Sequence, residues 1–478
     1  MNIDERQIQA IVQQVIAELG LQAGRPAPPS HGQTGGQYGQ FTAIEDAIAA
    51  AQTAFHQLQE TKLELRATMI EGMRQAILDN LELLAKMAAE ETKIGNWQDK
   101  IKKNRVAAEK TPGLEDLRPD AVTGDHGLTV TELAPYGVIG SITPMTNPSE
   151  TVINNGICMI AAGNAVVFNA HPLAKRVTMK AVELVNQAIV RAGGPDNLLT
   201  GVTDPTLDTA GVLMKDPRIR LLVVTGGGGV VKAAMSSGKK VIAAGPGNPP
   251  VVVDETADLV KAAQSIVDGA SVDNNICCTS EKEIIVVDAV ADDLKRHMKA
   301  YKTYELAGSK VDALLDVIFD RWRGVGCKDA VLNRKFVGQE ARTILSALGI
   351  TAPDDIRLIL VETPKDHPLV WKEQMMPVIP LVRVRDADEA IQFAKEVEQG
   401  CGHTAVMHSR NIEKLSKMAR SINTTIFVKN GPSYAGLGFG GEGPTCWTIA
   451  SPTGEGPTTP RTYTRPRRCV LVDSFRIV

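Results

Sequence analysis

Along the first twenty residues the apolar positions Ile8, Ile11, Val12, Val15, Ile16 and Leu19 recur at i, i+3, i+4, i+7, i+8 and i+11. That spacing draws one apolar stripe on a helix over residues 1–20, whose other face carries Asp4, Glu5, Arg6, Gln9, Gln13 and Glu18. Gly20 ends it. Residues 21–40 (LQAGRPAPPSHGQTGGQYGQ) are rich in Gly, Pro and Gln and predict a disordered linker. Such a helix packs either on the protein's own surface or in the groove of another protein. The tether that follows it favours the groove.

From Phe41 to about Asn104 the period is helical throughout, as in RATMIEGMRQAILDNLELLAKMAAEETK. Strands and helices then alternate. GVIGSI, NAVVFNA, RLLVVT, KKVIAA and PPVVVD read as strands, and PSETVINNGICMIAAG, the stretch from Ala174 to Ala192 and GGGGVVKAAMSS read as helices. Alternation at these lengths predicts a doubly wound α/β domain with a parallel sheet over residues 41–255. The pattern then restarts: the helix ADLVKAAQSIVDGA, the loop SVDNNICCTSEK and the strand EIIVVD lead to PVIPLVRV, HTAVMHS and TTIFVKN. A second α/β domain is expected over residues 256–440. The tail RTYTRPRRCVLVDSFRIV, within a C-terminal segment 441–478, and HGLTVTELA near 126–136 have strand propensity but no helix partner. They predict a β arm that pairs with another subunit, hence a homo-oligomer, dimer or tetramer.

Composition narrows the picture. The 478 residues are 43% hydrophobic and 22% charged, ordinary for a globular protein of two or three domains. A formal net charge of −3 provides no basic field for nucleic acid or an anionic membrane. No apolar run approaches the roughly 18 residues of a spanning helix, and no secretory signal opens the chain. The seven cysteines are irregularly spaced and odd in number, so a reducing cytosol is expected rather than a disulfide framework. No cluster has metal spacing.

Chemistry is concentrated in two places. Gly226 to Gly229 follow the strand RLLVVT and open a helix, where glycine admits a pyrophosphate to the backbone and the helix N-terminus supplies N–H donors. The run is not GxGxxG, and a tight turn explains it equally. Cys277 and Cys278 lie in a polar loop among Asp273, Asn274, Asn275, Thr279 and Ser280. A loop thiol among polar neighbours is a better nucleophile than one in an apolar run such as Cys158 in GICMI, although a structural pair remains open. His171 and His403 are lone histidines, more often structural than catalytic.

TPMTNP, NAVVFNAHP, VVTGGGGVVKAA, GPGNPP, DNNICCTSEKE and EQMMPV occur in the order found in aldehyde dehydrogenases. From Phe41 onward the chain resembles the coenzyme A-acylating branch of that superfamily, which includes the propionaldehyde and acetaldehyde dehydrogenases of bacterial microcompartments. The resemblance implies an aldehyde dehydrogenase-like fold of two doubly wound α/β domains plus a β oligomerisation arm. It assigns the nucleophile to Cys278 and makes Asn147, in Pro144-Met145-Thr146-Asn147-Pro148, a candidate oxyanion donor. The NAD set it implies is Thr143, Pro144, Asn169, His171, Pro172, Thr225, Gly226, Gly227, Gly228 and Glu373, with Glu373 on the nicotinamide ribose. Asn169 replaces the lysine that contacts the adenosine ribose in hydrolytic relatives.

Hydrolytic relatives carry a glutamate base in an ELGGK segment. The matching stretch here is Ala243-Ala244-Gly245-Pro246-Gly247-Asn248, and no carboxylate occurs from Val241 to Val253. Attack of water on a thioester needs a base, typically worth about 10²–10⁴-fold, whereas the coenzyme A thiol is partly ionised near neutral pH. The expected reaction converts a short aldehyde (propanal favoured), NAD and coenzyme A to acyl-CoA and NADH through a Cys278 thioester. The alternatives are a hydrolytic aldehyde dehydrogenase and a non-catalytic cargo or scaffold protein. Residues 1–20 resemble encapsulation peptides, which implies a microcompartment shell protein as partner and a cytoplasmic location inside a bacterial microcompartment.

Overall fold

The computed structural model describes residues 37–478. The helix expected over residues 1–20, and the linker as far as residue 36, lie outside the described residues. The linker expectation fails at its end, because Gln40 already belongs to the strand Gln40–Phe41 and pairs with Gly201.

The chain divides into two compact units. The first comprises residues 37–87 of those described, with 104–245 and 446–478. Its centre is a six-stranded parallel sheet in the order Gln40–Phe41, Leu199–Val202, Ala165–Asn169, Val138–Ile142, Ile219–Thr225, Val241–Ala244. Ala165–Asn169 and Val138–Ile142 are buried at every position, and apart from Asn169 and Ser141 they carry the apolar run of a sheet covered on both faces. Chain order reverses between Val138–Ile142 and Ile219–Thr225. Such a switch point opens a crevice at the carboxyl ends of its two strands, where Thr143-Pro144 and Thr225-Gly226 follow.

The two unpartnered strands of the sequence find each other. Gly127–Pro135 and Thr464–Val472 pair antiparallel along their whole length, and Asp120–Gly124 adds a third strand. The two strands without a helix partner are thus each other's neighbours in one antiparallel arm. Asp120–Gly124 escaped the sequence reading because it is short and solvent-facing, with no apolar alternation to mark it.

The second unit comprises residues 88–103 and 246–445. It holds a seven-stranded parallel sheet in the order Thr303–Leu306, Leu358–Glu362, Val378–Val384, Glu283–Val287, Pro250–Val253, Thr404–His408, Ile426–Lys429. Two expected boundaries move. Pro250–Val253, assigned by sequence to the first domain, is a central strand of this sheet, bonded to Glu283–Val287 and Thr404–His408, so the division falls at Gly245/Pro246 instead of residue 255. The segment 88–103, read as part of the first domain's helices, belongs here because Lys100 and Lys103 bond to Asp273.

Candidate active site

Asp258 caps the helix Leu259–Ser271, accepting from the Lys261 N–H at 3.2 Å, and this helix delivers the chain to the cysteine loop. Three successive residues, Asp273, Asn274 and Asn275, then adopt left-handed backbone at φ 48°, 53° and 64°. Asp and Asn tolerate that region better than other side chains, yet a run of three must be held by its surroundings. Each is held. The Asp273 carboxylate accepts from Lys100 (2.9 Å), Lys103 (2.6 Å) and the Asn96 N–H (2.7 Å). Burial alone raises the Asp273 carboxyl, but the two ammonium groups outweigh it and keep it below its usual range. Asn274 Nδ2 donates to Gly338 O, and Asn275 Nδ2 to Ala270 O and Glu281 O.

Beyond this fixed corner the Ser280 N–H donates to Cys277 O at 3.1 Å, closing a turn with Cys278 and Thr279 at its centre. Cys277 is buried and Cys278 keeps partial exposure. The Cys278 thiol is pushed up to about 12 by burial first, with Cys277 and Glu373 adding to the rise; Lys282 and the residue's own backbone N–H pull it down.

Four adjacent strands gather the rest at their N-terminal ends: Gly247 before Pro250–Val253, Cys278 before Glu283–Val287, Glu373 before Val378–Val384 and His403 before Thr404–His408. Gly247 crosses so close that a Cβ there would stand 2.8 Å from Cys278 O and 3.0 Å from the His403 ring, so only glycine fits. The Gly247 N–H donates to the Glu373 carboxylate, which burial raises and Lys282 lowers. His403 is fully buried with Nδ1 2.8 Å from Thr404 Oγ1, and its Nε2 has no partner among the described residues. Burial holds its pKa down to about 4, so the ring is neutral near pH 7. Nothing local marks His403 as more than a structural histidine; parallel pairing of strands distant in sequence is what brings it beside the loop.

The first unit holds the other predicted residues. Gly226 to Gly228 turn from Ile219–Thr225 into the helix Gly228–Met235, and a Cβ built on Gly227 or Gly228 would meet nothing within 4 Å. That open space above a helix N-terminus suits a pyrophosphate. Thr143 Oγ1 is buried and unpartnered among the described residues. Thr225 Oγ1 lies 3.0 Å from Thr448 Oγ1. Asn169 Oδ1 accepts from Thr209 Oγ1 at 2.6 Å, and His171 Nδ1 accepts from the Leu173 N–H at 3.1 Å, just before Pro172. Asn147 precedes the helix Pro148–Ala161; its carbonyl accepts from Thr151 Oγ1, and its Nδ2 donates to Thr146 Oγ1. Among the described residues no group of His, Cys, Asp and Glu is arranged to hold a metal ion.

One unit is thus a parallel-sheet α/β unit with glycines at its switch point, and the other is an α/β unit that presents a cysteine on a fixed turn. The chain belongs to the aldehyde dehydrogenase family, whose model matches residues 27–315 and 357–447. It is 50% identical to the acetylating acetaldehyde dehydrogenase of Salmonella typhimurium, with 100% of both chains covered. The propionaldehyde dehydrogenase of Rhodopseudomonas palustris, solved with bound propionyl-CoA, is 48% identical with a TM-score of 0.88, covering 91% of this chain and 96% of that one. The same enzyme has been solved with CoA and an acylated cysteine. A propionaldehyde dehydrogenase of the Clostridium phytofermentans fucose utilisation microcompartment is 45% identical with a TM-score of 0.89, covering 92% of this chain and 100% of that one.

Proposed function

We propose that this protein is a coenzyme A-acylating aldehyde dehydrogenase that oxidises a short aldehyde, propanal favoured, through a Cys278 thioester. The observation that carries the reading is the loop over the nucleophile. The segment that bears the glutamate base in hydrolytic relatives reaches the Cys278 carbonyl here as Gly247 and carries no carboxylate. Without that base water is a poor acceptor, while a thiol nucleophile needs little help.

In the first half-reaction the Cys278 sulfur, as thiolate, bonds to the aldehyde carbon and the carbonyl oxygen becomes an oxyanion. The Cys278 N–H and, by the family motif, the Asn147 amide are its proposed donors. Bound NAD supplies the acceptor for the hydride that leaves this carbon. By the family motif its proposed contacts are Thr143, Pro144, Asn169, His171, Pro172, Thr225 and Gly226–Gly228, with Glu373 on the nicotinamide ribose; the open space at Gly227 and Gly228 supports the pyrophosphate contact. In the second half, the sulfur of coenzyme A attacks acyl-Cys278, the Cys278 sulfur leaves as thiolate, and acyl-CoA is released. One thioester replaces another, so the sequence is ping-pong in form and reversible.

NADH is expected to accumulate steadily from propanal and NAD only when coenzyme A is present, with propionyl-CoA as product. Equal turnover without coenzyme A, yielding propionate, would mean that another residue activates water.

Residues 1–20 are proposed to dock in a shell protein, placing the enzyme inside a bacterial microcompartment; the relation to the Clostridium phytofermentans enzyme supports this. Among the described residues no helix is long and apolar enough to cross a membrane. The arm leaves Val122, Val470 and Val472 exposed, which supports its covering by a second copy in a dimer or tetramer. Removing residues 1–20 is expected to leave solution activity intact and abolish recruitment to shells, scored by co-purification. Loss of activity in the truncated enzyme would sink the docking role.

A further inference from the structure

Lys282 is completely enclosed. Its Nζ lies 2.8 Å from Asn275 O, 2.5 Å from Asn275 Oδ1 and 3.4 Å from Cys277 O. All three are carbonyl oxygens, able only to accept. Three acceptors match the three N–H donors of the ammonium form, one more than neutral lysine has, so the geometry is built for the charged side chain.

Its surroundings differ from those of the unit's other buried lysines. Lys100 and Lys103 share the Asp273 carboxylate. Among the described residues no carboxylate reaches Lys282 at ion-pair distance. Glu373 and Glu283 act on it from farther away, together with the thiols of Cys277 and Cys278. Burial of an ammonium without a direct counter-ion is costly and lowers its pKa. A site that keeps such a charge is matched to an anion formed during function.

The position of the ammonium says which anion. Cys277 O belongs to the peptide group whose N–H is that of Cys278. This carbonyl already accepts from the Ser280 N–H, and the Lys282 ammonium adds a charged donor. Donors on a peptide oxygen polarise the whole group and strengthen its N–H as a donor. The same ammonium ties Asn275, last of the left-handed residues, to the turn that carries the nucleophile.

We propose that Lys282 is a positioning residue for the chemistry at Cys278: its buried charge, held on Asn275 and Cys277 O, stabilises the thiolate and, through the Cys277–Cys278 peptide, the oxyanion. The inference rests on Cys278 being the nucleophile. Lys282 also opposes the combined upward pull of burial, Cys277 and Glu373 on the Cys278 thiol. His403, the further titratable ring beside the loop, is held neutral by burial first and then by Lys282.

The test follows alkylation of Cys278 by iodoacetamide against pH, read by peptide mass spectrometry, in the wild-type, Lys282→Gln and Lys282→Met enzymes, each checked for an intact melting transition. Glutamine keeps hydrogen-bond donors without charge, and methionine keeps neither. Both variants are expected to move the profile up by about one pH unit, which slows alkylation near neutrality about tenfold. A Lys282→Gln profile that overlays the wild type overturns the proposal. So does a fall in melting temperature with an unmoved profile, since that describes a purely structural tie.

Should neither variant fold, the native enzyme supplies the measurement. A buried cation is expected to raise the ratio of iodoacetate to iodoacetamide rates at Cys278 above that of free N-acetylcysteine, and an equal or lower ratio overturns the role. Failure of the underlying reading looks different: propanal would then not protect wild-type Cys278 from alkylation at all.

Discussion

Cys278→Ala is expected to lower NADH formation from propanal by at least about a thousandfold, while Cys277→Ser changes it no more than a few-fold. The two thiols are neighbours in sequence, and their environments separate them. Cys277 is buried, and its carbonyl is spent in closing the turn and in holding Lys282. Cys278 stands at the centre of that turn, partly open, with its own N–H directed to the sulfur. Residual activity in Cys278→Ala reports only binding and hydride geometry, since no acyl group can be carried. The decisive reading is the acylated peptide: propanal and NAD without coenzyme A should leave a propionyl adduct on Cys278. An adduct on Cys277, or equal losses in both variants, would reassign the nucleophile.

Asp273→Ala should cost the second unit about 3–5 kcal/mol, the penalty for removing one member of a buried ion cluster. Lys100, whose side chain is 0% exposed, would be left buried without the carboxylate it bonds to, and Lys103, 6% exposed, would lose its 2.6 Å bond to the same group. The Asn96 N–H would lose its acceptor as well. A melting-temperature fall on the order of 10 °C is expected by calorimetry, alongside loss of activity as the left-handed corner before Cys278 relaxes. The pH dependence has a definite sign. The native Asp273 carboxyl sits below its unfolded value, so its stabilisation is present above the unfolded pKa. It is lost as pH falls through the native one. The gap between wild type and Asp273→Ala should therefore be full at neutral pH and narrow in acid. A constant gap down to pH 3 would show that the cluster does not act through the charge of Asp273.

Much of this was legible beforehand because parallel sheets write themselves in local pattern. Strands such as Val138–Ile142 and Glu283–Val287 are buried at every position and read as mostly apolar runs, broken only by Ser141 in the first and opened by Glu283 in the second. The glycine run after Ile219–Thr225 was visible as a strand-to-helix turn, and the polar loop around Cys278 as a place for a thiol that is not core. Pairing was not legible. Nothing in PPVVVD tells which sheet it joins, since a central strand is equally apolar in either; its hydrogen bonds to Glu283–Val287 and Thr404–His408 decide. The arm strands were visible as strands, but their partnership spans more than 300 residues of sequence.

The chemical parts were written locally: the strands of unbroken or nearly unbroken apolar run, the cysteine loop, the glycine turn, and the absence of a carboxylate from Val241 to Val253. These are properties of short segments, governed by periodicity, backbone freedom and side-chain chemistry. Leu199–Val202, Thr303–Leu306 and Leu358–Glu362, by contrast, emerged as strands only in the fold. Tertiary structure decided which parts meet. It set Gly247, Cys278, Glu373 and His403 at the same ends of four adjacent strands, and it buried Lys282 against carbonyls without a paired carboxylate. It also held two of the three left-handed residues, Asp273 and Asn274, in place from the distant Lys100, Lys103 and Gly338. The reason is physical. Burial and charge compensation depend on neighbours in space, and a parallel sheet draws those neighbours from segments that no local pattern connects.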